Sequence, residues 1–273
     1  RKLDTAEGDV AHRADLLRAI HGVDGTGVAI GVLSDGVDDL AALQATGDLP
    51  PVVTVLPGEA GSGSEGTAML EILHDLAPGA GLLFATAFTS QASFAANVLA
   101  LRAAGADVIV DDVGYFREAV FQDDDVAASI DQVVADGALF FSAGGNSGNW
   151  NDGTSGVWEG DFVAGGVFGG SPALDFSGGD TRNQLLAVEE TQYALKWSDP
   201  LGGSANDYDL YLVDAAGQVI AASDAFQDGD DDPSEAIGTL PEGVGLFLVV
   251  PKCAGADRHL HLNVNGGRLE YAT

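Results

Sequence analysis

The sequence predicts an α/β protein: a doubly wound parallel sheet followed by a small antiparallel β-sandwich. Three observations carry this. Between residues 27 and 146, short and nearly continuous apolar runs alternate with helical periodicities, the pattern of a parallel sheet covered on both faces. Over 147–183 the chain turns rich in Gly, Asn and Asp. From 184 to 270 apolar and polar residues alternate in short runs separated by turn signals. The expected domains are 1–180 and 181–273.

The elements follow in order. Residues 27–33 (GVAIGVL) form an apolar strand that ends at Ser34-Asp35-Gly36. Residues 52–56 are a second strand. Across 65–76, Met69, Leu70, Leu73 and Leu76 recur at helical spacing, and Pro78-Gly79 stops the helix. A strand is expected over 81–88, a helix over 91–104 and a strand over 107–110. A helix over 126–135 has Asp123, Asp124 and Asp125 at its start, where carboxylates cap free N–H groups and complement the dipole. The strand 138–142 runs into Gly144-Gly145-Asn146. In the second region 193–197, 209–213, 219–220, 246–250 and 259–264 read as strands, with turns at Ala216-Gly217 and Asn265-Gly266.

Composition bounds the function. With 46% hydrophobic residues among 273, the chain can bury a core, which excludes general disorder. Acidic residues number 42 against 11 basic, a net charge of −31, so nucleic acid and anionic membranes are excluded as partners by repulsion. The excess suits a halophile-style solvated surface, a calcium-loaded secreted protein, or an ordinarily acidic bacterial protein. No apolar run approaches the roughly 20 residues of a bilayer-spanning helix. One cysteine, Cys253, leaves no internal disulfide framework and no thiolate zinc site. The first residues show no signal-peptide pattern, and the chain is expected to be a piece of a longer protein.

In open parallel sheets, functional groups gather at the carboxyl ends of the strands. Asp35, Glu65, Asn146 and the pair Asp111-Asp112 fall there. Glu65, at a helix N-terminus, is a dipole-complementing surface residue or a general base. Asp35 is a turn residue or the partner of Glu65. Asn146 is a tight-turn residue or an oxyanion donor. Asp111 and Asp112 are a solvated strand end or the lining of a substrate pocket for basic side chains. His74 stands about two and a half turns after Glu65 and faces away from it.

Three segments carry a resemblance. Residues 28–38 (VAIGVLSDGVD) resemble the first strand of subtilisin-like serine peptidases. Glu65-Gly-Thr-Ala-Met69, followed by Leu76-Ala-Pro-Gly-Ala80, is similar to their histidine helix and the turn after it. Phe141-Ser-Ala-Gly-Gly-Asn-Ser-Gly148 is similar to their oxyanion segment. The segments occur in family order across about residues 20–150. The departures are informative. Glu65 stands where the family has histidine, and Asp35 is shifted one place within Ser-Asp-Gly. This looks like the glutamate-for-histidine branch, the sedolisins, although Met69 occupies the place where their helix carries an Asp. The only Gly-Thr-Ser, ending at Ser155, lies nine residues after Asn146 and lacks the following helix, so it reads as a decoy. The resemblance therefore implies a nucleophilic serine beyond Thr273, in a missing segment of the same peptidase domain, with the sandwich inserted before it. By analogy with the triad, Glu65 takes the serine proton, Asp35 orients Glu65, and Asn146 binds the oxyanion.

Trp197-Ser-Asp-Pro200 and Asn206-Asp-Tyr-Asp-Leu-Tyr211 resemble the pre-peptidase or P-domain β-sandwich modules found beside secreted bacterial peptidases, which implies an extracellular setting. Asp228, Asp230, Asp232 and Glu235 cluster oxygen ligands suited to a structural Ca²⁺, or form a solvated acidic loop. No cofactor is expected for catalysis. The expected function is a serine-type endopeptidase acting on peptide or protein substrates, with this fragment alone inactive. The alternatives are a catalytically inactive peptide-binding relative and an α/β ligand-binding domain without peptidase ancestry.

Overall fold

The computed structural model describes residues 5–146, 148–188, 191–240 and 243–273. The chain forms two compact units. One comprises residues up to Gly114 together with Asp124–Gly144; the other comprises Tyr115–Asp123 and Gly145–Thr273.

The first unit runs α1 (Gly8–Ala11), α2 (Ala14–His21), β1 (Ala29–Ser34), α3 (Leu40–Thr46), β2 (Thr54–Val55), α4 (Glu65–Leu76), β3 (Gly81–Thr86), α5 (Gln91–Ala103), β4 (Val108–Asp111), α6 (Asp125–Ala135) and β5 (Leu139–Ser142). The five strands form one parallel sheet in the order β2-β3-β1-β4-β5. The alternation of β1 explains why both faces are covered. Ile30 and Val32 pack with Phe84 and with Leu70 and Met69 of α4 on one face. On the other, Gly31 lets α5 approach so closely that an added Cβ would lie 3.2 Å from Leu101 Cδ1. The expected aspartate cap of α6 is Asp124, whose Oδ1 accepts from the N–H of Val126 at 2.9 Å and of Ala127 at 3.2 Å. Helices α1 to α3 were not expected. Both α2 and α3 are short: α2 leaves Leu16, Leu17 and Ile20 exposed, and α3 packs only Leu40 and Leu43, partly buried, against the core.

The second unit runs β6 (Val157–Asp161), β7 (Ala164–Phe168), β8 (Ser171–Leu174), β9 (Asn183–Val188), β10 (Thr191–Trp197), β11 (Asp207–Tyr208), β12 (Leu210–Val213), β13 (Val219–Ser223), β14 (Ser234–Leu240), β15 (Phe247–Val249), β16 (Lys252–Ala254), β17 (His259–Val264) and β18 (Gly267–Leu269). Two sheets, β14-β10-β17-β6 and β13-β12-β15-β9-β18, face each other. Trp158, Leu195, Trp197 and Leu262 from the first meet Leu185, Leu210, Leu212 and Leu248 from the second in one core. This is the expected sandwich, but it begins at Gly145 and not near 180. The cause is β6, which pairs antiparallel with β17 and so draws residues 157–161 into the second unit. Residues 115–123 also belong to it: Gln122 donates to the Asp199 carbonyl at 2.7 Å and accepts from the Leu201 N–H at 2.9 Å.

Among the described residues no helix is long and apolar enough to cross a membrane.

Candidate functional site

The site is built where β1 and β4 lie side by side. Their register pairs Leu33 with Asp111, so both chains leave the sheet at the same level. β1 ends at Ser34 with Asp35 next, β4 ends at Asp111 with Asp112 next, and α4 opens on Glu65.

Asp35 is a cap supplied from outside the helix. Ser64, the residue before α4, makes no side-chain cap. Instead Asp35 Oδ1 accepts from the Gly66 N–H at 2.9 Å and from the N–H of Gly36. Two glycines make this approach possible. A Cβ on Gly63, which has φ +122°, would overlap the Asp35 carboxylate, and one on Gly66 would strike the Phe84 ring and the Gly36 carbonyl. The loop before α4 is pinned further by Asp38, which accepts from the Gly63 N–H at 2.8 Å, and by Asp39, which accepts from the Ser64 hydroxyl at 2.6 Å. Burial works to raise the Asp35 pKa, but the N–H groups of Gly66, Gly36 and Glu65 outweigh it and hold the carboxyl below its ordinary value.

Of the neighbouring charges, that of Asp112 acts on Glu65 more strongly than that of Asp35. The Asp112 charge, then burial, then the Asp35 charge raise the Glu65 pKa. Asp112 is itself raised, chiefly by burial, although it accepts from the Ser34 hydroxyl at 3.1 Å. Glu65 is exposed and Asp112 half-buried. Asp111 differs again: it is 3% exposed, accepts from the Ser142 hydroxyl at 2.9 Å, and is pushed by burial to about 6.

The structure thus brings Asp35, Glu65, Asp111 and Asp112 together in the first unit. It buries Asp111 and bonds Asp112 to Ser34, where the sequence reading has this pair as a solvated strand end or the lining of a pocket for basic side chains. Asn146 is exposed and belongs to the second unit. Ser155 is buried, with its Oγ accepting from the Val157 N–H at 3.1 Å, which fits a turn-forming role. Ser34, Ser142, Gly63 and Gly66 were not singled out from sequence. The small residues of Gly61-Ser-Gly-Ser-Glu-Gly66 were the available signal, since only a tight loop needs them so densely.

The acidic loop of the second unit separates. Asp228, Asp230 and Asp231, all exposed, present carboxylate oxygens within 4.8 Å of one another. Asp232, expected among the ligands, instead accepts from the Gly202 N–H at 2.9 Å. Glu235, also expected there, is buried and bonded to Gln227 Nε2 at 2.7 Å and to the Ser223 hydroxyl.

No family model and no curated protein matches this chain. Among solved structures, the Clostridium perfringens CspB protease is similar over 97% of this chain and 68% of that one, at 9% identity and a TM-score of 0.48.

Proposed function

We propose that this chain carries the base of a serine-type endopeptidase site of subtilisin-like ancestry, with Glu65 as the general base and the nucleophilic serine supplied by polypeptide beyond Thr273. The serine hydroxyl proton passes to the Glu65 carboxylate as its oxygen bonds to the peptide carbonyl carbon. Glu65 then returns the proton to the leaving amine, and water repeats the cycle on the acyl-enzyme. Asp112 takes the place first assigned to Asp35: its carboxyl orients Glu65 and raises its proton affinity. Asp35 positions the first turn of α4 and so the Glu65 backbone.

One observation supports this reading above the bland one. A carboxylate at a helix N-terminus normally has its proton affinity lowered by the free N–H groups. At α4 those groups are given to Asp35, and Glu65 is raised by a carboxyl partner. Neighbouring carboxyls shifted in opposite directions, here Asp35 down and Glu65 up, are a signature of acid–base work. A raised pKa means the base is switched off at low pH and turns on as pH climbs through that value.

The test is fluorophosphonate labelling of the polypeptide that joins this chain to its downstream sequence. Glu65→Gln is expected to slow labelling about 10²–10⁴-fold, the usual contribution of a general base. An unchanged rate sinks the assignment. A second reading, the inactive peptide-binding relative, is favoured by the engagement of the hydroxyls in the cluster: Ser34 and Ser142 both donate to carboxylates. Absence of any labelling selects it.

A further inference from the structure

Strand β6 ends its sheet and pairs with β17. Alternation sends Trp158, Leu260 and Leu262 of these strands into the core. It leaves Glu159 and Asp161 of β6 on the opposite face, directly across from His261 and His259 of β17. His259 Nδ1 lies 2.8 Å from Asp161 Oδ1, and its Nε2 lies 3.4 Å from Glu159 Oε1. His261 Nδ1 lies 2.9 Å from Glu159 Oε2. On the other side of β6 the Glu159 N–H donates to Thr273 Oγ1 at 2.8 Å.

This bonding demands a protonation state. An ionised carboxylate only accepts hydrogen bonds, so both ring nitrogens of His259 must donate, and imidazolium alone carries two N–H groups. A neutral ring keeps one of the two bonds and turns a lone pair toward the other carboxylate. His261 meets one carboxylate oxygen and needs one N–H, which the neutral ring supplies. Lys196 of β10 stands opposite His261 in register, and a like charge there disfavours a second cation. The switchable proton is therefore that of His259.

The other neighbours of His259 leave that assignment in place. Its backbone N–H donates to Ser198 Oγ at 3.3 Å, and the Phe121 ring meets it edge to face at 5.8 Å. Asp257 and Arg258 line the same cleft, but Asp257 is paired with Lys252 and Arg258 with Asp199. Among the described residues, Glu159 and Asp161 are the carboxylates bonded to either ring. The Asp161 bond, supported by Glu159, holds His259 above its ordinary value against the pull of burial. Glu159 is held below its own, first by His261.

We propose that this seam is a pH-operated fastener: protonated His259 ties β6 to β17 through two carboxylates, and loss of the proton loosens β6. The proposal does not depend on the peptidase reading. The folded ring binds its proton more tightly than the unfolded one. The fastening is thus fully present below the ordinary histidine value of about 6.5 and is lost as pH rises through the raised one. Solvated ion pairs are weak, so the effect is fraying of one end strand and not unfolding.

The test is amide hydrogen exchange of the full chain at about pH 5.5 and about pH 8, each amide corrected for its intrinsic rate. Protection of β6 is expected to fall about two- to fivefold more than that of β12. NMR titration of the His259 ring is expected to give a midpoint above about 6.5. Glu159→Gln with Asp161→Asn removes both acceptors, and is expected to abolish the extra loss in β6 and return the midpoint to the ordinary range. Asp161→Asn alone, at a side chain 83% exposed, is expected to lower the midpoint and serves where the double variant does not fold. Equal changes in β6 and β12 overturn the proposal, as does a His259 midpoint at or below the ordinary value. So does a loss in β6 that survives the double variant.

Discussion

Two aspartates, one in each unit, leave water to nearly the same extent and ionise in opposite directions. Asp111 is 3% exposed and Asp199 5%. Asp111 has the Ser142 hydroxyl and the Val113 N–H, and burial wins: its pKa rises to about 6. Asp199 meets the same upward push from burial, but the Arg258 guanidinium, both oxygens' bonds from Asn206 Nδ2 at 2.8 and 2.7 Å, and the Ser204 hydroxyl at 2.9 Å carry it below its ordinary value. Burial sets the cost of charge, and the partners decide whether the charge is kept. Asp199 anchors a framework that extends through Ser204 to the Trp197 indole N–H at 2.9 Å, in the centre of the sandwich core. Asp111 stands at a strand end beside a carboxyl pair and keeps its proton into the weakly acidic range.

The strongest way to break this comparison is to make Asp199 resemble Asp111. Arg258→Ala leaves a buried carboxylate with neutral donors, and the second unit is expected to lose about 2–3 kcal/mol at pH 7, near the lower end for breaking a buried pair because Arg258 is partly solvated. Urea unfolding measures it, and a loss within error would show that Arg258 is not what holds the charge.

The converse change sharpens the contrast. In the native state Asp111 binds its proton up to about 6, whereas an unfolded aspartate releases it near 3.9. Between those values the native state holds more protons, so stability falls as pH rises through that window. Asp111→Asn removes the penalty. It is expected to raise stability by about 1–2 kcal/mol at pH 7 and to change little at pH 4, a difference that thermal melts at the two pH values resolve.

The smallest effect concerns the pair next door. Asp112→Asn removes the charge that contributes most to raising Glu65, so the Glu65 titration is expected to move down toward the ordinary glutamate range. Carboxyl NMR of the chain reads this directly. No movement would give the raised affinity to burial and the Asp35 charge.

Much of the first unit was legible in the sequence. Apolar runs and 3.6-residue periodicity are local properties, and they located β1, β3, β4, β5 and the helices α4 to α6 within one or two residues. The start of α4 at Glu65 was legible because small residues, a carboxylate and an apolar stripe follow one another there. The strands β6 to β8 were hidden in a stretch whose glycine content reads as loop; β6 exists because β17 offers it a partner about a hundred residues away.

The site divides in the same way. Sequence by itself determined that Asp35, Glu65 and the Asp111-Asp112 pair end or begin their elements at the rim of one sheet, because chain order and periodicity place element ends. It could not determine which carboxyl meets which. That depended on β4 lying directly beside β1, in the register that sets Leu33 against Asp111, and on two glycines that let α4 close over Asp35. Strand neighbours are chosen by crossovers that span dozens of residues, and no local pattern encodes them. The separate shifts in proton affinity of the four acidic groups are thus a property of the folded sheet.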